Sequence, residues 1–279
     1  MEEHFEWTGE RLTTSKTNEI AIHHLHRYAI AIDLAKGKDV LDIASGEGYG
    51  SNLLANTAKS VTGVDISESV IEFAKKKYTR NNLSFKVGST SNIPLENDSV
   101  DLLVSFETIE HHNEHVEMMD EINRVLKEDG VLIISSPNKE FYSDKTGYNN
   151  PFHVKELYKN EFEELIQSYY PHVVSFDQQI VYGSLISSSK NAGSMFSEYS
   201  GDFEKINKSQ HITESMYTVT IASKKPLNTD HFSANSFFRS DRHLELLMNQ
   251  SQEVYNSKTY KIGNLIVSPF RFLKKIFTK

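Results

Sequence analysis

Val40-Leu41-Asp42-Ile43-Ala44-Ser45-Gly46-Glu47-Gly48-Tyr49-Gly50 decides how the chain is read. Its first five residues are the kind of short apolar run a buried strand uses, and Tyr49 to Ala58 continues with helical apolar spacing. Glycines between strand and helix let backbone N–H groups approach a ligand at a helix N-terminus. A dinucleotide fingerprint places its third glycine three residues after the second, whereas Gly50 follows Gly48 by two. Asp42 stands four residues before Gly46, where its carboxylate repels a pyrophosphate and attracts an ammonium or sulfonium. Asp65 ends the next strand-like run, Val61-Thr62-Gly63-Val64-Asp65, where an acidic side chain can accept both hydroxyls of a ribose. The pattern suits a nucleoside with a cationic tail and no phosphate.

Outward from this run, strand and helix patterns alternate. Asn18 to Lys36 reads as an amphipathic helix through Ile20, Leu25, Tyr28, Ile32 and Leu34, and Ser67 is placed to cap a helix running to Lys77. Residues 83–87, 100–106 and 131–135 read as strands, and 114–127 and 155–169 as helices. The alternation predicts an α/β fold built on a doubly wound, mostly parallel sheet. Residues 173–181 and 215–223 are expected to close that sheet as a hairpin, for seven strands in all, with the Ser/Asn/Gly-rich segment 184–212 as a loop or lid. Past Pro226 the pattern weakens, so 1–225 is read as one domain and 226–279 as a helical, basic amphipathic appendage.

The 279 residues are 38% hydrophobic and 24% charged, an ordinary globular composition. Cysteine is absent, which excludes disulfides, a thiolate metal site and a cysteine nucleophile. No apolar run is long enough to span a bilayer, and residues 1–25 lack a signal-peptide pattern, so a cytoplasmic location is expected. Residues 258–279 hold six basic residues and no acidic one; the other 257 carry 24 basic against 38 acidic, a net of −14. An acidic body is a poor match for nucleic acid.

The glycine run resembles motif I of the class I S-adenosylmethionine-dependent methyltransferases, with Asp65 in the acidic motif II position. Gly88-Ser89, Ile93-Pro94-Leu95, residues 100–106, Glu110-His111 and Arg124-Val125-Leu126-Lys127 extend the resemblance over about residues 5–225. It implies a Rossmann-like sheet and S-adenosylmethionine as cofactor. The implied contacts are Asp42, Ala44, Ser45, Gly46, Glu47, Gly48, Asp65, Ile66, Ser89, Thr90 and Phe106. Arg11, Arg27 or Tyr28 either holds the cofactor carboxylate or packs the first helix. Two departures stand out: Ser89 replaces the family's usual adenine-binding Asp, and Glu128-Asp129-Gly130 replaces Pro-Gly-Gly in a turn. Thr8-Gly9-Glu10-Arg11, residues 24–28, 105–111, 136–139 and 150–157 look most like methyltransferases encoded with bacterial surface-polysaccharide and glycosyltransferase genes.

Glu107, Glu110 and His111 are spaced i, i+3, i+4 after the fourth strand, so one helical turn would put them on one face beyond the strand ends. Two carboxylates and an imidazole suit a hard or borderline divalent cation. The Glu-x-x-Glu-His run is similar to the metal motif of methyltransferases of ubiquinone synthesis and of small-RNA 2′-hydroxyl methylation. In the latter a His follows a Thr-Pro-Asn segment, a position that His153 matches after Ser136-Pro137-Asn138. Glu107, Glu110, His111 and His153 are therefore the candidate ligands for Mg²⁺ or a similar ion, which would chelate two neighbouring acceptor hydroxyls. The alternative is metal-free, with His111 as general base. Tyr142, Tyr148 and Asn150 are candidates to meet a sugar, or merely order their loop. His23, His24 and His26 are read as surface or packing residues, and His112 and His115 as solvated.

The function these features imply is O-methylation of a sugar hydroxyl in a surface polysaccharide or glycan precursor. The alternatives are a small-metabolite methyltransferase and a non-catalytic cofactor-binding scaffold. For residues 258–279 three roles stand open: contact with the inner membrane face, docking to a glycosyltransferase or a second copy of the chain, and packing on the acidic body.

Overall fold

The computed structural model describes residues 19–181, 183–188, 198–201, 206–209, 211–227, 235–238, 253–263 and 265. The chain runs α1 (Glu19–Ala35), β1 (Asp39–Ile43), α2 (Tyr49–Leu54), β2 (Ser60–Asp65), α3 (Glu68–Lys77), β3 (Leu83–Val87) and β4 (Val100–Phe106). It continues with α4 (His115–Val125), β5 (Leu126–Pro137), α5 (Lys159–Gln167), β6 (His172–Val181), β7 (Gly183–Ser188), β8 (Glu198–Gly201), β9 (Ile206–Ser209), β10 (Tyr217–Ser223) and β11 (Asn235–Phe238). The main sheet has the order β3-β2-β1-β4-β5-β10-β6-β7-β11. β1, β2, β3, β4 and β5 pair in parallel, while β10 lies antiparallel between β5 and β6. This is a Rossmann-like α/β fold with the doubly wound order expected.

Side chains alternate across each strand. Leu41, Ile43, Leu103 and Ile134 therefore enter the layer with Met118, Met119 and Ile122 of α4 and Phe162 and Ile166 of α5. Val40, Leu102, Val104 and Ile133 enter the opposite layer with Tyr28 and Ala31 of α1 and Leu54 of α2. The same parity turns Asp42 toward α1 and α2.

Five expectations are corrected. Among the described residues the main sheet has nine strands, not seven, because β7 folds antiparallel onto β6 and β11 adds an edge beyond it. β6 and β10 do pair, but β7, β8 and β9 intervene in sequence, so the pair is not a hairpin. Part of the segment read as a loop is thus strand, with β8 and β9 forming a separate two-stranded sheet. Residues 235–238, read as part of an appendage, complete the main sheet. Helix α5 starts later than expected, since the N–H groups of Val154 and Lys155 donate to the Glu110 carbonyl at 2.8 and 3.1 Å instead of to a helical turn.

Candidate active site

Parallel strands deliver their C-terminal ends to one edge, where loops and α1 enclose a cavity of about 470 Å³. Ala44, Ser45 and Gly46 after β1, Asp65 and Ile66 after β2, Ser89 and Thr90 after β3, and Phe106 and Glu107 at the end of β4 all line it. The loop after β1 is held by unusual backbone: Ala44 and Gly46 take φ of 57° and 53°. The Gly46 N–H donates to Asp65 Oδ2 at 3.0 Å, and the Ser67 N–H to Asp65 Oδ1 at 2.9 Å. Ser89 Oγ lies 3.3 Å from Ser91 Oγ.

Asp42, Glu47 and Gly48 are not among the lining residues. Asp42 sits beneath the floor, where Ser51 Oγ donates to its Oδ2 at 2.6 Å and the Tyr28 hydroxyl to its Oδ1 at 3.1 Å. Burial pushes its carboxyl up to about 6 in spite of these two donors. Its anionic influence on a ligand therefore acts through the floor instead of by contact. Glu47 is buried and faces Lys77, with Nζ 3.7 Å from Oε2. The Tyr28 hydroxyl, engaged by Asp42, is not placed as a carboxylate grip; Arg11 lies outside the described residues.

Arg27 reaches from α1 to the other half of the sheet. Its Nε donates to Gln178 Oε1 on β6 at 2.7 Å, and its guanidinium carbon stands 4.5 Å from the Tyr217 ring centre on β10. Its Nη1 lies 3.1 Å from Glu107 Oε1, which also accepts from Ser135 Oγ at 2.7 Å. Glu107 adopts a left-handed φ of 50°, uncommon for a residue with a β-carbon and typical of strained functional sites. Arg27 still lines the cavity, with a buried Nη2 that has no hydrogen-bond partner among the described residues.

Glu110, His111 and His153 come together, with one potential ligand atom from each lying within 4.8 Å of the others. Glu107 is not part of that cluster: the turn after β4 is a short 3-10 segment, Ile109–His111, and the ion pair with Arg27 points Glu107 elsewhere. The predicted quartet is corrected to a trio. Burial, followed by repulsion from Glu107, raises the Glu110 carboxyl well above the usual carboxylate range. Its Oε2 is buried without a hydrogen-bond partner among the described residues. His111 Nδ1 lies 3.1 Å from the Phe152 carbonyl, which fixes Nδ1 as the protonated nitrogen and Nε2 as the basic one. His153 Nδ1 bonds Glu156 Oε1, and its Nε2 lies 3.0 Å from Asn150 Nδ2. Burial lowers the His153 pKa and favours a neutral, ligating ring.

Tyr142 stacks on His153 with ring centres 5.2 Å apart, and with Tyr148, Asn150 and Tyr217 it walls the cavity beside the trio. His23 and His24, expected at the surface or in packing, line the cavity, and His24 Nδ1 meets the Tyr49 hydroxyl at 3.1 Å. Burial drives His23 down to about 3. His112 lines the cavity with Nε2 3.3 Å from Thr90 Oγ1, and His115 is buried, so neither is the solvated residue expected. His26 does pack, against Ser236 and Phe238 of β11. Ser135, Gln178 and Tyr217 escaped sequence reading, because each sits in a β-prone run with no motif around it. Only the alternation of the strands, in register with their neighbours, could have placed them.

Residues 34–198 match the family described as "Methyltransferase domain". A stretch of 164 residues is 34% identical to a protein of Mycolicibacterium smegmatis named "Probable S-adenosylmethionine-dependent methyltransferase", covering 58% of this chain and 63% of that one. A stretch of 131 residues is 30% identical to a phthiotriol/phenolphthiotriol dimycocerosates methyltransferase of Mycobacterium tuberculosis, covering 46% of this chain and 48% of the relative. The chain thus spans from about half to under two thirds of the length of these curated relatives. Among solved structures, the YcgJ protein of Bacillus subtilis superposes with a TM-score of 0.52 at 17% identity, over 78% of this chain and 100% of that one. The PH0226 protein of Pyrococcus horikoshii gives 0.53 at 21% identity, over 76% and 94%. The likeness to these two is one of fold. The family match, by contrast, begins in the last turn of α1, takes in the glycine loop and the whole parallel half of the sheet, and covers more than half of the residues. The chain belongs to the class I S-adenosylmethionine-dependent methyltransferase family.

Proposed function

We propose that the protein transfers a methyl group from S-adenosylmethionine to a sugar hydroxyl of a surface polysaccharide or glycan precursor. The observation that carries this reading is that Glu110, His111 and His153 open onto the same cavity as the loop after β1 and Asp65. Donor and acceptor then meet across Phe106 and Glu107. Asp65 and the loop after β1 orient the nucleoside. Tyr142, Tyr148 and Asn150 offer a ring face and hydrogen bonds of the kind a pyranose uses.

The trio fits a divalent cation. It offers one carboxylate and two imidazoles, and each imidazole has its other nitrogen oriented by an oxygen, from Phe152 or Glu156; an ion would displace the Asn150 Nδ2 donor that now meets His153 Nε2 at 3.0 Å. A bound ion would lower the pKa of a hydroxyl it contacts. Without one, the basic Nε2 of His111 is the group positioned to take the acceptor proton. Incubation with methyl-labelled cofactor and a panel of nucleotide-sugars, lipid-linked glycans and free glycans tests the reaction. Label on a carbon or nitrogen of the acceptor, or on non-sugar compounds alone, would reject it. Repeating the assay after rigorous chelation, then with Mg²⁺ or Mn²⁺ restored, separates the two roles: unchanged turnover leaves His111 as base.

A second reading rests on one comparison. A relative is named as a phthiotriol/phenolphthiotriol dimycocerosates methyltransferase, which favours a hydroxyl on a lipid. Including a long-chain diol in the same panel discriminates between them.

A further inference from the structure

Residues 253–256 and 258–263 form short helical turns whose side chains are mostly exposed. Val254, Tyr255, Ile262 and Leu265 are 60%, 53%, 61% and 78% exposed. Lys258 and Lys261, both exposed, lie between these apolar residues in sequence, and the Tyr255 and Tyr260 rings pack edge to face with centres 5.0 Å apart. Lysine stems can lie along apolar surface and lift their ammonium groups to a polar boundary. In sequence the same character continues to residue 279: Arg271, Lys274, Lys275 and Lys279 alternate with Phe270, Phe272, Leu273, Ile276 and Phe277, with no acidic residue from 258 onward. Among the described residues the helical turns break at Ser257, and in sequence Pro269 is a helix breaker.

We infer that the sequence 253–279, beginning with the exposed residues Val254, Tyr255, Lys258, Lys261, Ile262 and Leu265, holds the protein on an anionic lipid bilayer. Positive charge interspersed with large apolar side chains matches a surface that is negative at its headgroups and apolar just beneath. Such a surface demands no shape complementarity, which suits a segment broken at Ser257. The acidic body, with its net of −14 over residues 1–257, is repelled by the same surface, so attachment through this segment turns the body outward. Among the described residues no helix is long and apolar enough to cross a membrane, so the contact is peripheral.

The inference is independent of the chemistry proposed for the cavity, and its test needs no substrate. Purified full-length protein is sedimented with vesicles of phosphatidylcholine alone and of phosphatidylcholine mixed with phosphatidylglycerol. Binding is expected to the mixed vesicles and to weaken at least about tenfold when salt is raised severalfold. A chain ending at Gln252, which keeps β11, should stay in the supernatant. Full-length protein carrying Lys258→Glu, Lys261→Glu and Ile262→Asp should bind at least about tenfold more weakly. The inference is overturned by equal pelleting with neutral vesicles, by no pelleting with either, or by variants that bind like the parent. Self-association or capture by an acidic protein without vesicle binding also rejects it.

Discussion

The Tyr28 ring occupies the space a β-carbon on Gly50 would need: that carbon would stand 2.0 Å from Tyr28 Cζ. The third glycine of the loop therefore admits an α1 side chain instead of a ligand. It lets Tyr28 reach Asp42 and seat against Phe106 and Tyr49, with ring centres 5.1 and 5.6 Å away. Gly50→Ala gains about 1 kcal/mol of helix propensity but forces overpacking that costs roughly 1–3 kcal/mol or more. Net destabilisation is expected in urea unfolding, with partial recovery when Tyr28→Ala is added. A neutral or stabilising Gly50→Ala would show that α1 does not close here.

Asp42 gives a pH signature. Its carboxyl rises from 3.8 unfolded to about 6 folded. Between these values the folded state holds the extra proton, so stability falls as pH rises. The stability of the parent relative to Asp42→Asn should drop by roughly 2 kcal/mol between pH 4 and 7. Denaturant titrations at several pH values check this, and a flat difference contradicts a buried, proton-retaining Asp42.

Arg27 and Glu107 should behave as one unit. Removing either leaves the other charged, nearly buried and short of its partner, at a cost of roughly 3–5 kcal/mol. The double substitution Arg27→Met with Glu107→Gln should cost less than the sum of the singles by about 1–3 kcal/mol. Additive losses would mean that the pair does not form.

Metal affinity should divide the four acid and imidazole candidates. Titration calorimetry with Mn²⁺ is expected to lose its signal in Glu110→Gln, His111→Ala and His153→Ala. Glu156→Ala, which frees the His153 ring, should bind about tenfold more weakly. Glu107→Gln should stay within about threefold of the parent, because Glu107 stands with Arg27 and not in the trio. Loss of binding in Glu107→Gln would restore the quartet.

Much of this was legible in advance because local pattern and global fold agree for the parallel half of the sheet. The apolar run from Val40 is a strand, as its composition predicts, and residues 83–87 and 100–106 are strands as expected. What the spacing did not show was parity. Asp42 follows Val40 on the same strand face, and so points under α1 instead of into the cavity. Glu107 left the metal set for a similar reason. An ideal helical turn was assumed after β4, whereas a left-handed Glu107 precedes a 3-10 segment. Long-range partners were invisible altogether: Gln178 lies 151 residues from Arg27, and no local pattern announces the contact.

Strand β11 also ties distant parts of the chain together. It pairs with β7, and its Ser236 hydroxyl lies 3.0 Å from His26 Nε2 on the helix that roofs the cavity. A shortened protein cut at the weak point after residue 225 would bare the backbone of β7 as a ready template for intermolecular pairing. It would also loosen the roof at His26. Preparations trimmed to the motif-bearing region should therefore clump and bind cofactor poorly, a handling defect easily mistaken for an inactive enzyme.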